Sequence, residues 1–496
     1  MVQADLYLDK VRACWLGKNI GGTLGMPYEG VPGPLSLRFY DPVPTQAVAN
    51  DDLDLQLLWL VLIEEHGWGL NHKVLGDAWL KYQTCPSDEY GVARWNLRRG
   101  IAPPLSGVHN NWFRGGMGAV IRSEIWACLF PMRPHWAARF AWLDATVDHA
   151  GDGVWAEVFL AACQSAAFGI SDVGEAMAAG LEHLPAESRF ARMVRKLLAM
   201  HHAGDKPESA LAWINNHVHS HNFTDCVMNM AFVIYALLWG EGEFERSLLM
   251  AVNCGQDADC TGATCAATFG LLHGTRAIPE RWREPVGETV VASEYLQCLP
   301  MPTTLEELAT RTAAQSARLL SQIETVGIPQ IPTECADIID DGITWRICPK
   351  SAAEMGEGLS APDSIQDDAR ASTVSSPGIC IDLAPYCQAD ESILFLETAV
   401  TCKRTTEAYL LLCSQAGLTA WWDGRMILNY HGRRPIVPAL HRTEGGGCIP
   451  IDLEVGRTHR LQVRLIGCRA PLDFLAAIGD SEGDYRLDIK FTAESS

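Results

Sequence analysis

The sequence predicts a multidomain protein of two classes in succession, an all-α helical domain followed by an all-β sandwich or jelly-roll domain. Two observations predict it. Apolar residues recur at helical spacing in 53–64, 119–130, 154–168, 190–201, 225–239 and 244–252, between loops rich in Gly, Pro, Asn and Asp. From residue 379 the pattern changes to short alternating runs separated by Gly, Asp and Asn turns. At 496 residues the chain is too long for one ordinary domain and long enough for two. We expect the helical domain over 1–328, a linker and domain start over 329–378, and the sandwich as an accessory domain over 379–496.

Taken in order, the N-terminal stretch MVQADLYLDKVRACWLGK has charges spread through it and reads as an amphipathic helix rather than a secretory signal. A Gly-rich segment, Gly17 to Gly30, follows. Asn50-Asp51-Asp52-Leu53-Asp54 then precedes LQLLWLVLIEE, a buried helix, and Gly255-Gln256-Asp257-Ala258-Asp259-Cys260-Thr261 precedes GATCAATFGLL, another. Carboxylates are tolerated at a helix start, where free N–H groups and the helix dipole favour negative charge. Small residues dominate 262–270, which lets that helix pack closely at the centre of a bundle. The segment 351–378 is polar, low in aromatics, and expected as a long loop or linker. Beyond it ICIDLA, SILFLETAV, AYLLLCSQ, LTAWWDG, MILNYHG, THRLQVRLIG and YRLDIKFTA read as strands, with a tight Asp-Gly turn inside LTAWWDGRMILNY. Trp421, Trp422 and Tyr430 either form a sugar-stacking face or belong to the core.

Composition narrows the classes. With 60 acidic and 39 basic residues the formal net charge is −21, which argues against a broad nucleic-acid-binding face. No apolar run reaches the length and purity of a membrane span. The 17 cysteines include no CxxC pair and sit among apolar neighbours, as buried thiols do in a reducing cytoplasm, where we expect the protein. Gly-x-Ser-x-Gly, HExxH and Walker patterns do not occur.

Each acid cluster alone is explained by helix capping. Brought together, two such clusters repel unless a positive charge lies between them, and a hard cation such as Mg²⁺ prefers oxygen ligands. GKNIGGTLGMPYEG, NDDLDLQ and CGQDADCTGATCAA resemble, in order, the three signatures of the ADP-ribosylglycohydrolase family. GGMGAVIRSE at 115–124, DATVDHAGDGVWAEVFLAA at 144–162 and IPERW at 278–282 are also similar to that family, so the resemblance spans residues 5–320.

The resemblance implies an all-α, ADP-ribosylglycohydrolase-like catalytic domain and a metal-dependent glycohydrolase that cleaves an N- or O-ribosyl bond. It implies Mg²⁺, one or two ions with Mn²⁺ as the alternative, held by Asn50, Asp51, Asp52, Asp257 and Asp259. Asn50 stands where the family has Thr, and Cys260 where it has a Thr whose hydroxyl is a ligand; Thr261 supplies an oxygen only if the helix start shifts by one residue. Thiolate suits Mg²⁺ poorly. Glu29, on a loop that is mobile in the family, is implied as metal ligand or general base, with Asp52 and Asp257 as its catalytic companions. Asp54 either supports a ligand from behind or pairs with the helix dipole.

The glycines Gly115, Gly116 and Gly118 are implied to approach a diphosphate, and a plain turn is the other reading. Arg122 pairs either with phosphate or with a core carboxylate. His149 and Asp152 fall near the implied substrate or serve structure. Two alternatives stay open: a glycosidase on another furanoside or nucleoside-like substrate, and a non-catalytic binding or structural member of the family. The expected partner is a small ribosyl or furanosyl molecule, with neither nucleic acid nor membrane, and with the C-terminal domain as the route to any oligomer.

Overall fold

In the computed structural model the chain divides into two compact units, Met1–Ala336 and Asp337–Ser496. The structure describes residues 3–297, 299–327, 330–332, 339–350, 361–387, 392–433, 436, 448–470, 472–480, 485–486 and 488–493.

The first unit is helical: α1 (Ala4–Gly25), α2 (Asp51–His66), α3 (His72–Tyr82), α4 (Asp88–Arg98), α5 (Glu124–Leu129), α6 (Pro134–Ala145), α7 (Asp152–Ala166), α8 (Val173–Leu181), α9 (Arg189–His202), α10 (Pro207–His217), α11 (Cys226–Trp239), α12 (Phe244–Val252), α13 (Ala258–His273), α14 (Glu280–Arg283) and α15 (Leu305–Gln322). The periodic runs correspond to α2, α7, α9, α11 and α12. Helices α3, α8 and α15 carry no long apolar run and are set by side-chain caps instead: Asn71, Asp172 and Thr304 each accept from an N–H of the first turn.

The run 119–130 is not one helix but a tight turn, Val120–Arg122, followed by the short α5. Gln56 explains the break. Its Nε2 donates to the Ile121 carbonyl at 3.0 Å and its Oε1 accepts from the Ile125 N–H at 2.9 Å. A side-chain amide has taken both halves of what would be one helical hydrogen bond.

Helices α1 and α13 form the centre and are buried on nearly every face. They touch backbone to backbone: a Cβ at Gly21 would overlap the Gly262 carbonyl, and one at Gly25 the Ala258 carbonyl. The N-terminal glycines are therefore packing residues. They bring the start of α13 against the end of α1, with the start of α2 close by.

The second unit is antiparallel β. Two strands of the first unit, β1 (Val31–Pro32) and β2 (Gly255–Gln256), pair with each other. The second unit then holds β3 (Ile343–Lys350), β4 (Ser372–Ser376), β5 (Cys380–Asp382), β6 (Ser392–Cys402), β7 (Thr406–Ser414), β8 (Gly417–Trp422), β9 (Arg425–Tyr430), β10 (Cys448–Leu453), β11 (His459–Cys468), β12 (Asp473–Gly479) and β13 (Ile489–Thr492). One sheet runs β10-β7-β12-β5; the other runs β4-β3-β6-β11-β8-β9, with β13 also on β6. The sheets share one core, in which Trp345 of β3 meets Phe474 of β12 with ring centroids 5.2 Å apart.

Strands β3 and β4 lie within 329–378, where the sequence suggested linker and domain start. Ile343, Trp345 and Ile347 alternate inward on β3, while β4 is a polar edge strand paired only to β3. Polar edges give no hydrophobic alternation, which is why the segment read as loop. The stretch 351–360 of that expected linker lies outside the described residues. Asp423 and Gly424 both have positive φ, 49° and 79°, the geometry of a tight hairpin turn joining β8 to β9. Trp421 and Trp422 are buried, one under Arg464 and the other stacked on His459, so they form core rather than a sugar-stacking face. Among the described residues no helix is long and apolar enough to cross a membrane.

Candidate metal and substrate site

The two acid clusters meet at the N-termini of α2 and α13. Asn50 caps α2: its Oδ1 accepts from the Asp52 N–H at 2.9 Å. Its Nδ2 donates across to Asp259 Oδ2 at 3.2 Å. Asn50 thus ties the clusters together, with its oxygen directed at the helix N–H. Asp52 is 1% exposed, Asp257 2% and Asp259 3%. Asp51 is exposed, although many groups surround it.

Glu29 is brought beside Asp257 by the chain itself. Val31 pairs with Gln256 and Pro32 with Gly255, and the Gly30 N–H donates to the Gln256 carbonyl at 2.7 Å. The loop carrying Glu29 is joined by this ladder to the segment that enters α13. Gly255 and Gln256 both take positive φ to make the approach.

The acids raise one another's pKa. Burial, partly offset by Lys18 and reinforced by Asp259 and Glu124, pushes Asp52 up to about 8. The dense surround first, then the charges of Asp52, Asp259, Asp54 and Glu29, hold Asp51 well above the usual range. Burial and then Asp259 do the same to Asp257, and burial raises Asp259 too. Burial and the charges of Asp257, Asp52, Asp259 and Asp51 keep Cys260 a neutral thiol well above its ordinary range.

Under this cluster lies a cation that sequence reasoning missed. Lys18 of α1 is fully buried, with Nζ 3.5 Å from Asp52 Oδ1 and 3.1 Å from Glu124 Oε1. Burial works against its charge, but Glu124 and Asp52 outweigh it and raise the ammonium's pKa. One ammonium shared by two carboxylates is fully compensated while each acid is only partly so, which is why Glu124 is also raised, by burial first and despite Lys18. Gln56 and Gln164 donate to the two oxygens of Glu124 at 2.9 and 3.3 Å. The signal was present in the sequence: a lone lysine between Leu16-Gly17 and Ile20-Gly21 has no solvent face.

A divalent cation fits this arrangement. Asp52 Oδ2 and Asp259 Oδ1 have no hydrogen-bond partner although both are buried, and Asp52 Oδ1 has only the Lys18 ammonium at 3.5 Å. Asp52, Asp259 and Cys260 can each offer one ligand atom within 4.8 Å of the other two. Thr261 is fully buried and its hydroxyl donates to the Ala258 carbonyl of its own helix at 3.2 Å. Asp54 turns away to Ser293, accepting from its N–H at 2.9 Å and from its hydroxyl.

The remaining expected substrate residues are engaged elsewhere. Arg122 is fully buried. Its Nε donates to Asp144 Oδ1 at 2.8 Å, and its Nη atoms donate to Asp148 Oδ1 and Oδ2 at 2.5 and 3.1 Å and to the Gly118 carbonyl at 2.8 Å. It is a core ion pair with no donor left for phosphate, which corrects the substrate role. The Gly116 N–H donates to the Phe113 carbonyl at 2.8 Å and the Gly118 N–H to Glu89 Oε1 at 3.2 Å, so neither faces a ligand. A Cβ at Gly115 would meet open space.

His149 is buried between Asp148, 3.0 Å from Nδ1, and Glu89, 3.4 Å from Nε2. Burial lowers its pKa, but Asp148 and then Glu89 lift it to about 9. The Ala119 N–H also points at Nε2 from 3.2 Å, a bond only the neutral ring can accept; the two flanking carboxylates favour the charged ring. Asp152 begins α7 and accepts from the Phe190 N–H at 3.1 Å, joining α7 to α9. Both residues hold structure in this arrangement.

A family model described as ADP-ribosylglycohydrolase matches residues 3–321. An uncharacterized protein of Archaeoglobus fulgidus is 28% identical over 327 residues, covering 61% of this chain and 98% of that protein. Among solved structures, an ADP-ribosylglycohydrolase-related protein complex is 20% identical with a TM-score of 0.40, covering 64% of this chain and 99% of that one. A PA14 sugar-binding domain from an RTX adhesin is 11% identical with a TM-score of 0.22, covering 31% of this chain and 96% of that one.

Proposed function

Because the chain belongs to the ADP-ribosylglycohydrolase family, we propose that it is a divalent-metal-dependent glycohydrolase that cleaves an N- or O-ribosyl bond with water. The observation that carries this reading is the convergence of Asp52 and Asp259 from two helix starts, with Asp52 Oδ2 and Asp259 Oδ1 buried and without a protein donor. Asp51, Asp52, Asp257 and Asp259 are oxygen donors of the kind Mg²⁺ and Mn²⁺ take. When bound, such an ion orients sugar hydroxyls and the attacking water and stabilises charge at the reacting centre.

The chain's own residues do the rest. Glu29, exposed beside Asp257, is the base that takes a proton from the water attacking C1. Lys18 and Asn50 fix the orientation of Asp52 and Asp259 and offset part of their repulsion. The described cysteines form no disulfide, in keeping with a reducing cytoplasm as the site of action.

A second reading, a furanoside lacking a diphosphate, is favoured by one specific set of contacts. Arg122 and the Gly116 and Gly118 N–H groups, which were expected to meet phosphate, are all taken by protein acceptors. Calorimetry of Mg²⁺ and Mn²⁺ into chelator-treated protein, with and without ADP-ribose, separates the two. Mutual strengthening of metal and ADP-ribose binding supports the ADP-ribosyl reading. Metal binding indifferent to ADP-ribose but strengthened by free ribosides supports the second.

A further inference from the structure

We propose that Cys260 is a ligand of the metal centre, and that the Asp52–Asp259–Cys260 set selects a borderline, thiol-accepting divalent ion, of the Zn²⁺, Co²⁺ or Fe²⁺ class, over Mg²⁺. The inference rests on the reading above that the centre holds a divalent ion. It begins from the donor set. The three side chains can place two carboxylate oxygens and one sulfur within 4.8 Å of one another, and all three are buried. A second observation points at a ligand independently: Asp52 Oδ2 and Asp259 Oδ1 are buried without a hydrogen-bond partner, and Asp52 Oδ1 has only the Lys18 ammonium at 3.5 Å.

Two features make sulfur the atom that α13 presents. Helix α13 starts at Ala258, which leaves Cys260 in the first turn beside Asp259. The neighbouring Thr261 hydroxyl turns its proton to the Ala258 carbonyl of its own helix, 3.2 Å away. No one-residue shift of the helix start rescues an oxygen, because Gly25 of α1 lies directly on the Ala258 carbonyl and locks the register. The bland role for Cys260, a small apolar filler, suits its place at the edge of the helical core. It does not account for a thiol set among buried carboxylates, hydrogen-bonded to Asp257 while Asp52 Oδ2 and Asp259 Oδ1 have no donor.

Ligand chemistry then decides the ion. Mg²⁺ demands oxygen ligands in near-octahedral array and binds thiolate poorly, while imidazole- and thiolate-accepting ions form strong bonds to sulfur. On binding, the S–H bond is exchanged for a metal–sulfur bond and the proton passes to solvent, with no change of oxidation state. Lys18, 3.5 Å from Asp52 Oδ1, already neutralises part of the cluster's charge and so weakens the purely electrostatic pull on a hard ion. A covalent bond to sulfur loses less by that neutralisation.

The test uses Co²⁺ as a spectroscopic probe on chelator-treated, full-length protein, with Cys260→Ser as the isosteric variant. The expected result is a sulfur-to-cobalt charge-transfer band in the near ultraviolet for the wild type that vanishes in Cys260→Ser, the other thiols serving as internal control. Competition calorimetry is expected to show Co²⁺ and Zn²⁺ held against Mg²⁺ in the wild type, and their advantage reduced about tenfold or more in the variant. If Cys260→Ser does not fold by circular dichroism, Cys260→Thr gives the same readouts with an oxygen in place. Co²⁺ binding without the band, or a metal preference unchanged by the substitution, overturns Cys260 as a ligand and leaves the metal-dependent reading standing. Failure of Mg²⁺, Mn²⁺, Co²⁺ and Zn²⁺ alike to bind the wild type overturns both.

Discussion

Lys18 and Asp52 form a buried ion pair, 3.5 Å from Nζ to Oδ1, with Glu124 on the far side of the same ammonium at 3.1 Å. A fixed cation thus stands directly behind the carboxylates that are the candidate metal ligands. Removing it strands two buried acids. Lys18→Met is expected to cost roughly 3–5 kcal/mol of stability, the range for breaking a buried pair. The double variant Lys18→Met/Glu124→Gln should cost less than the sum of the single changes, and urea unfolding of all three proteins measures both effects.

Among the described residues no cation pairs with Asp257; Asp259 and Glu29 add repulsion to its burial, and a hydrogen bond with Cys260 offsets them only in part. Asp257→Asn is therefore expected to raise the thermal midpoint of the metal-free protein and to abolish divalent-ion-dependent turnover, a stability gain bought with function. Calorimetric scans with and without divalent ion check the first part. Unchanged turnover and unchanged metal content would remove Asp257 from the site.

Gly21 lies on the Gly262 carbonyl where α1 crosses α13. Gly21→Ala must drive these helices apart, at a cost of about 1–3 kcal/mol or more from overpacking. Because the start of α13 carries Asp257 and Asp259, metal affinity should weaken together with the midpoint. Gly115→Ala, which meets open space, is the matched control and should change neither.

His149 makes stability depend on alkaline pH. Its pKa rises from an ordinary 6.5 to about 9 in the fold, so the native state holds a proton that the unfolded chain releases earlier. The stabilisation is fully present below about 6.5 and is lost as pH climbs through about 9. The wild-type midpoint should fall across that window by more than the His149→Gln midpoint does. Parallel pH profiles for the two proteins would show that Ala119, rather than Asp148 and Glu89, sets the state of the ring.

Much of the site was legible because its parts are local. Asn50-Asp51-Asp52 and Asp257-Ala258-Asp259 announce themselves as acids at helix starts, and the small residues from Gly262 onward announce close packing, whereas the contacts of Gly21 and Gly25 emerged only in the structure. Arg122 was ambiguous for a physical reason: an arginine beside glycines suits a phosphate and a core carboxylate equally, and only Asp144 and Asp148 decide between them. Trp421 and Trp422 were ambiguous in the same way until their neighbours Arg464 and His459 were in place. Strand β4 and the break before α5 left no pattern, since one is a polar edge and the other is made by Gln56 from another helix.

By itself the sequence determined the two fold classes, their order, the acid clusters and the small-residue run 262–270, all properties of spacing within a few residues. Tertiary structure alone decided that Lys18 sits beneath Asp52, that Thr261 faces its own helix while Cys260 joins Asp259, and that Glu29 is laced to the α13 entry. Those relationships join residues such as Lys18 and Glu124, separated by 106 positions. Periodicity fixes which face a side chain occupies; only the packing of one helix on another fixes which atoms share that face.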